Sequence, residues 1–178
     1  KSDFHEISVD EIAEEAGFSK GTLYLYFKNK EDLFFSVIKD KSADMLELLE
    51  NTLSKKAVFR ESLELFVGAM LGFFREHKMF FRIVHSEKSR MTMETHYKFH
   101  DWAQQVNETF LELIKTLVRK GEEEGTMRDV EVMAAAKCLR GMMNSYIFQS
   151  SFWGVKESLD EEVSQIVDIF LNGISCNN

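Results

Sequence analysis

The sequence contains no proline in 178 residues, and only nine glycines. A many-stranded sandwich or barrel needs a turn signal every few residues. This chain lacks that punctuation, and no alternating strand pattern exceeds four residues. No internal repeat is visible. Cysteine is scarce as well. Cys138 and Cys176 cannot build a disulfide framework, and neither stands in a CxxC or CxxH spacing. A reducing, cytoplasmic setting is therefore expected. Long apolar runs are missing: the longest is Leu65–Phe74, ten residues. A membrane span needs about 20, so this run reads as a core helix segment, and neither a membrane partner nor a signal peptide is expected. Cationic excess is absent too, since 22 Lys plus Arg stand against 30 Asp plus Glu for a net charge of −8.

What the chain has in quantity is apolar and aromatic surface. Hydrophobic residues make up 44%, with 16 Phe, enough to fill a sizeable core. Apolar residues recur at helical spacing almost throughout. The periodicity predicts an all-α fold of roughly eight helices. The expected spans are Val9–Ala16, Lys20–Phe27, Lys30–Leu53, Ala57–His77, Met79–His85, Thr92–Glu124, one capped by Asp129 and ending near Phe152, and Leu159–Ile174. Gly121 and Gly125 are expected to mark a fraying helix end, and Glu122–Glu124 a solvated one. The pattern divides the chain into a small N-terminal unit, residues 1–41, and a larger helical body, residues 42–178, bridged by the long third helix.

Function is most legible near the N-terminus. Ser8-Val9-Asp10-Glu11 has the form of a capping box. Gly17 suits the left-handed residue that ends a helix, and Ser19 and Asn29 suit the caps of the next two. Two short helices joined by Gly17-Phe18-Ser19, with small Ala13 and Ala16 at the crossing, describe a helix–turn–helix. In that motif the second helix enters the DNA major groove. Its outward positions are Ser19, Lys20, Gly21, Thr22, Tyr24, Leu25 and Tyr26. Hydroxyls and an ammonium suit phosphates and base edges, and Leu25 suits a thymine methyl. Lys30, beside the start of the third helix, can add a phosphate contact, and Ser8 is counted with the DNA-binding residues. The segment Gly17–Lys30 carries Lys20, Lys28 and Lys30 and no acid, so local charge favours DNA although the total does not.

From Ser8 to Leu33 the sequence resembles the signature of TetR-family transcriptional regulators, with Gly17, Thr22, Leu23, Tyr24, Tyr26, Phe27, Lys30, Glu31 and Leu33 at their usual places. The resemblance covers about 26 residues; the remainder agrees in helix number and order. It implies a further helix before this segment. Lys1–Ile7 resembles the loop that follows that helix, so the DNA-binding unit is expected to be incomplete at its N-terminus. The resemblance also implies a homodimer, joined by the last two helices of each subunit as a four-helix bundle. The composition of Val132–Tyr146 fits independently, being apolar nearly all round, with Ala135 and Gly141 permitting close approach. A helix fully buried within a monomer is the alternative.

A family-like body also implies an effector cavity among the middle helices. Phe66, Met70 and Phe73 share one face, Ala103, Asn107 and Phe110 another with His100 a turn earlier, and Tyr146 and Gln149 lie on a third helix. An apolar pocket with a few polar groups suits a small, largely apolar effector. Plain core is the commoner role for any single one of them. His96 and His100, four apart on a helix, form a weak metal pair. No phosphate-cradling loop, nucleophile elbow or HExxH is present, so neither an enzyme nor a cofactor is expected. The reading that emerges is a ligand-responsive dimeric regulator, a repressor by family default. Its partners are a palindromic double-stranded DNA operator and a small-molecule effector. The alternatives are a helical small-molecule-binding protein, or a metal sensor, whose helix–turn–helix is only structural.

Overall fold

The computed structural model describes residues 7–87, 92–127, 129–154 and 157–174. Cys176 and Lys1–Glu6 lie outside them. The helices are α1 (Val9–Glu15), α2 (Lys20–Tyr26), α3 (Lys30–Leu53), α4 (Phe59–Glu76), α5 (Lys78–Glu87), α6 (Met93–Glu123), α7 (Val132–Phe152) and α8 (Leu159–Ile174). The all-α expectation holds. Among the described residues no helix is long and apolar enough to cross a membrane.

Local chemistry sets most of the ends. The Ser8 hydroxyl accepts the Glu11 amide at 3.1 Å, and the Glu11 carboxylate accepts the Ser8 amide at 2.6 Å. Asn29 accepts the Asp32 amide at 2.8 Å and starts α3. α1 closes with the Phe18 amide on the Ala13 carbonyl and the Gly17 amide on the Glu14 carbonyl, Gly17 sitting at φ 74°. That pair of bonds is the Schellman arrangement, which needs a left-handed residue and so favours glycine.

Three expectations about ends are corrected. α7 is capped by Glu131, whose carboxylate accepts the Met133 and Ala134 amides at 2.8 and 2.6 Å, and not by Asp129. Glu124 is not merely solvated: it accepts the Phe59 amide at 2.8 Å, so the end of α6 caps the start of α4. Beside it, Lys120 donates to the Ala57 carbonyl and, at 2.7 Å, to the Ser62 hydroxyl. Gly121 does not mark a fraying end. It is buried, and a Cβ there would lie 2.6 Å from the Met127 sulfur and 2.8 Å from the Phe59 ring. Gly125 at φ 66° is what ends the helix.

α4 is the axis of the body and packs against α3, α5, α6, α7 and α8. Around it lies the main core, with Leu49, Phe59, Leu63, Phe66, Ile114 and Leu139 almost wholly buried. Arg75 of α4 reaches the buried carboxylate of Glu162 on α8 at 2.8 Å. A second, smaller core joins Phe34 and Ile38 of α3 to Phe99 of α6, with Phe35, Phe80, Ile83 and Trp102 around them. α3 contributes to both cores, and its first turns carry the α1–α2 head. α7 is not buried all round within the chain: Ala135, Ala136, Leu139 and Met143 face the core, while Cys138 and Gly141 are exposed.

Candidate nucleic-acid interface and effector site

α2 is held by little of its own surface. Ser19 accepts the Thr22 amide at 3.1 Å, and the two hydroxyls lie 2.8 Å apart. Leu23 and Phe27 turn inward and are half-buried, but no side chain of the helix is fully buried. Lys20, Gly21, Tyr24, Leu25 and Tyr26 are exposed with Ser19, while Thr22 is half-buried. Leu25 is 83% exposed and Tyr26 75%, well beyond what a folding role requires of large apolar side chains.

Sequence reasoning missed the partner that orients this face. Asp10 of α1 binds the Lys20 ammonium at 2.8 Å, which also lies 6.0 Å over the Tyr24 ring. The hydrogen bond and charge of Asp10 raise the lysine above its usual range, so Lys20 remains cationic. Ser8 is exposed at the start of α1, but its hydroxyl and amide are both engaged in the capping box. Lys30 is half-buried at the start of α3. It lines a polar groove of about 710 Å³ with Lys28, Glu31, Asp32, Thr95 and Lys98. Here the head meets the body. One Glu31 carboxylate oxygen accepts the Thr92 hydroxyl at 3.0 Å and the Thr95 hydroxyl at 2.6 Å, from the first turn of α6. Glu94 and Lys98 pair at 2.6 Å alongside, which lowers the carboxyl and raises the ammonium.

The residues expected to line an effector cavity do not come together as one open space. Phe66, Met70, Phe73 and Phe110 are buried in the main core, with Phe66 and Phe110 stacked at 6.2 Å. Ala103 belongs to the second core. His100 and Gln149 are exposed. Asn107 is exposed and accepts from Arg140 of α7, and Tyr146 donates to Gln165 of α8 at 2.9 Å. Periodicity assigns a residue to an inward face, not to the neighbour that fills the space there. A groove of about 780 Å³ opens instead on the opposite face of α4, between α3 and α8, lined by Leu48, Leu65, Ala69, Leu159 and Val163. His96 and His100 are both exposed, and among the described residues no group of three His, Cys, Asp or Glu side chains could hold a metal.

The comparisons with known proteins agree with this geometry. Residues 1–37 match the family model for bacterial regulatory proteins, tetR family. The fatty acid metabolism regulator protein of Bacillus subtilis is 23% identical over 172 residues, which are 96% of this chain and 87% of that protein. The crystal structure of the regulator FadR from Bacillus subtilis, solved with stearoyl-CoA, superposes with a TM-score of 0.76 at 24% identity, covering 96% of this chain and 90% of that one. The TetR-family regulator PfmR from Thermus thermophilus superposes with a TM-score of 0.73 at 24% identity, covering 95% and 90%. The match falls on the helices that present Lys20 and Tyr24, and the neighbours share the all-helical fold of the rest: the N-terminal segment is similar to that of bacterial regulatory proteins of the tetR family, and the chain has the fold of such regulators.

Proposed function

We propose that the protein is a cytoplasmic repressor that binds a two-fold symmetric DNA operator as a homodimer and is released by a long-chain acyl thioester of coenzyme A. The observation that carries the DNA half is the exposed face of α2, where Lys20, Tyr24, Leu25 and Tyr26 stand in solvent on a helix that buries no side chain. Two such helices enter successive major grooves about 34–36 Å apart. Ser19, Gly21 and Thr22 approach the backbone beside them, with Ser8 and Lys30 on flanking phosphates. Residues 1–41 act as the DNA-binding unit and 42–178 as the effector and dimerisation unit. No catalytic role is assigned to any residue.

The acyl class of effector is supported by the fatty acid regulator and the stearoyl-CoA complex among the relatives, and by the aromatic interior between α4, α6 and α7. An acyl chain entering there parts the Phe66–Phe110 stack and lies against Met70, Phe73 and Ala103. Asn107, His100, Tyr146 and Gln149 stand toward the surface, where the polar end of the ligand emerges. Displacement of α6 is then felt at its first turn, where Thr92 and Thr95 hold Glu31 at the root of the head. DNA and effector oppose each other reciprocally, with a coupling of about 1–3 kcal/mol, or about 5–150-fold.

Selection from a random duplex pool, followed by titration of the bound site with stearoyl-CoA, tests both halves. A two-fold symmetric consensus that the thioester releases is expected. A folded protein that selects no consensus at low salt refutes the DNA reading. A consensus indifferent to stearoyl-CoA refutes only the effector class.

A further inference from the structure

The groove between α3, α4 and α8 lies on the far side of α4 from the interior proposed for the acyl chain. It measures about 780 Å³, within the range of small-ligand sites. Leu48, Leu65, Leu159 and Val163 give it apolar walls, and Gly68 and Ala69 keep its floor low. Leu48 and Leu65 remain 39% and 38% exposed, so no described residue covers them.

Charge marks the two ends of this groove. α4 and α8 run antiparallel across it, since a Cβ at Gly68 would meet Val163 at 3.7 Å and one at Gly72 would meet Leu159 at 3.6 Å. Asp160 therefore stands at the Gly72 end. Glu61 stands near the start of α4, about 16 Å away along the helix axis. Both line the groove, both are exposed, and neither makes an ion pair among the described residues. α8 carries no base to compete for Asp160. Glu64 is taken up by Arg60 at 3.4 Å, and Lys55 lines the groove without pairing with Glu61 or Asp160. Acids in the first turns of α4 and α8 suit the helix dipole. The dipole does not account for an uncovered apolar channel running between them.

We propose that this groove is a second ligand site and takes a linear polyamine of about the length of spermine. One terminal ammonium pairs with Glu61 and the other with Asp160. The methylene segments lie on Leu48, Leu65 and Val163, and the inner ammoniums face the open side, where they keep their water. Charge-assisted hydrogen bonds at both ends select for length as well as charge. An anion would meet like charge at both ends. A neutral apolar ligand would leave both carboxylates without a counter-charge.

Calorimetric titration of the full chain with spermine tests this, at about 0.15 M salt so that diffuse attraction to the net charge of −8 is largely screened. One spermine per chain is expected. Glu61→Gln and Asp160→Asn should each weaken binding at least fivefold. Asp168→Asn removes an exposed α8 carboxylate outside the groove and should leave the affinity within about twofold of the parent. Synthetic amines separate length from charge. Diaminododecane, with an amine at each end, should bind at least tenfold more tightly than diaminobutane, which carries the same charge but cannot reach both ends. It should exceed dodecylamine, with the same chain and one ammonium, by a similar factor. Equal losses from Asp168→Asn and the groove variants, with unchanged helical circular dichroism, mean diffuse attraction and overturn the site. Equal affinity for diaminododecane and dodecylamine means an apolar surface only and overturns the polyamine. Absence of saturable spermine binding at millimolar concentration refutes the proposal outright. Ala69→Trp fills the floor and should abolish spermine binding without altering sedimentation of the unliganded chain. Altered sedimentation would give the groove to a second copy of the chain instead.

Discussion

The seven-residue α2 and the eighteen-residue α4 show how differently one chain deploys its apolar residues. α4 sinks Phe59, Leu63, Phe66 and Val67 to 1% exposure or less, while α2 holds Leu25, Tyr24 and Tyr26 in water. Burial of a Leu or Phe side chain stabilises a fold by about 1.5–3 kcal/mol, so α2 forgoes several such contributions. Its residues make sense as a surface kept ready for a partner, held in place by caps and by Asp10 of α1. The buried apolar surface lies in the body, and the recognition proposed above falls to the head.

The largest test of that contrast is a pair of truncations. Phe66→Ala should cost about 3–5 kcal/mol of unfolding free energy, read by urea denaturation. Leu25→Ala should change it by no more than about 0.5 kcal/mol and yet weaken operator binding. Comparable losses of stability from both would end the distinction between the two helices. A smaller effect is expected where the body is tightest. Gly121→Ala pushes a methyl toward Met127 and the Phe59 ring, and overpacking of this kind costs about 1–3 kcal/mol. A stabilised variant would mean that Met127 and Phe59 yield freely.

On the head the counterpart is Lys20→Ala. It removes one ammonium from the proposed phosphate contacts, so operator affinity should fall uniformly across related sites, and the log–log salt slope should lose about one unit. The denaturation midpoint should hardly move, because the Lys20–Asp10 pair is exposed on both sides. An unchanged salt slope would take Lys20 out of the interface.

Much of this contrast was legible from sequence, and the reason is locality. The caps at Ser8, Ser19 and Asn29 and the turn at Gly17 depend on atoms within a few residues, and each stands as the spacing predicts. The outward face of α2 follows from which two positions, Leu23 and Phe27, turn in. Contacts between distant segments leave no such trace. Glu124 capping Phe59 spans 65 positions, and Thr95 reaching Glu31 spans 64. The expected effector residues were assigned to inward faces correctly for Phe66, Met70, Phe73 and Phe110. Which core receives Ala103, and that Asn107 meets Arg140 at the surface, depend on the packing of three helices.

The smallest expected effect compares one motif in the two regions. A second capping box was there to be read at Ser158-Leu159-Asp160-Glu161. Glu161 accepts the Ser158 amide at 2.7 Å, as Glu11 accepts the Ser8 amide at 2.6 Å. In both boxes the hydrogen bonds from the serine hold the glutamate below the usual carboxylate range. A lowered folded value means that each box contributes above the ordinary glutamate titration and fades as the pH falls through it toward the folded value. α8 has Ile166, Val167 and Phe170 in the core to hold it when its box fails, whereas α1 has only Ala13 buried. The protection of the α1 amides, measured against the intrinsic exchange rate at each pH, should therefore fall below about pH 4, while α8 stays protected. Ser8→Ala, which costs about 1 kcal/mol in a cap of this kind, should bring the same loss of protection at neutral pH. Ser158→Ala should leave exchange in the middle of α8 unchanged. Equal loss of protection in the two helices would show that α8 depends on its cap as much as α1 does, and that burial does not separate the head from the body.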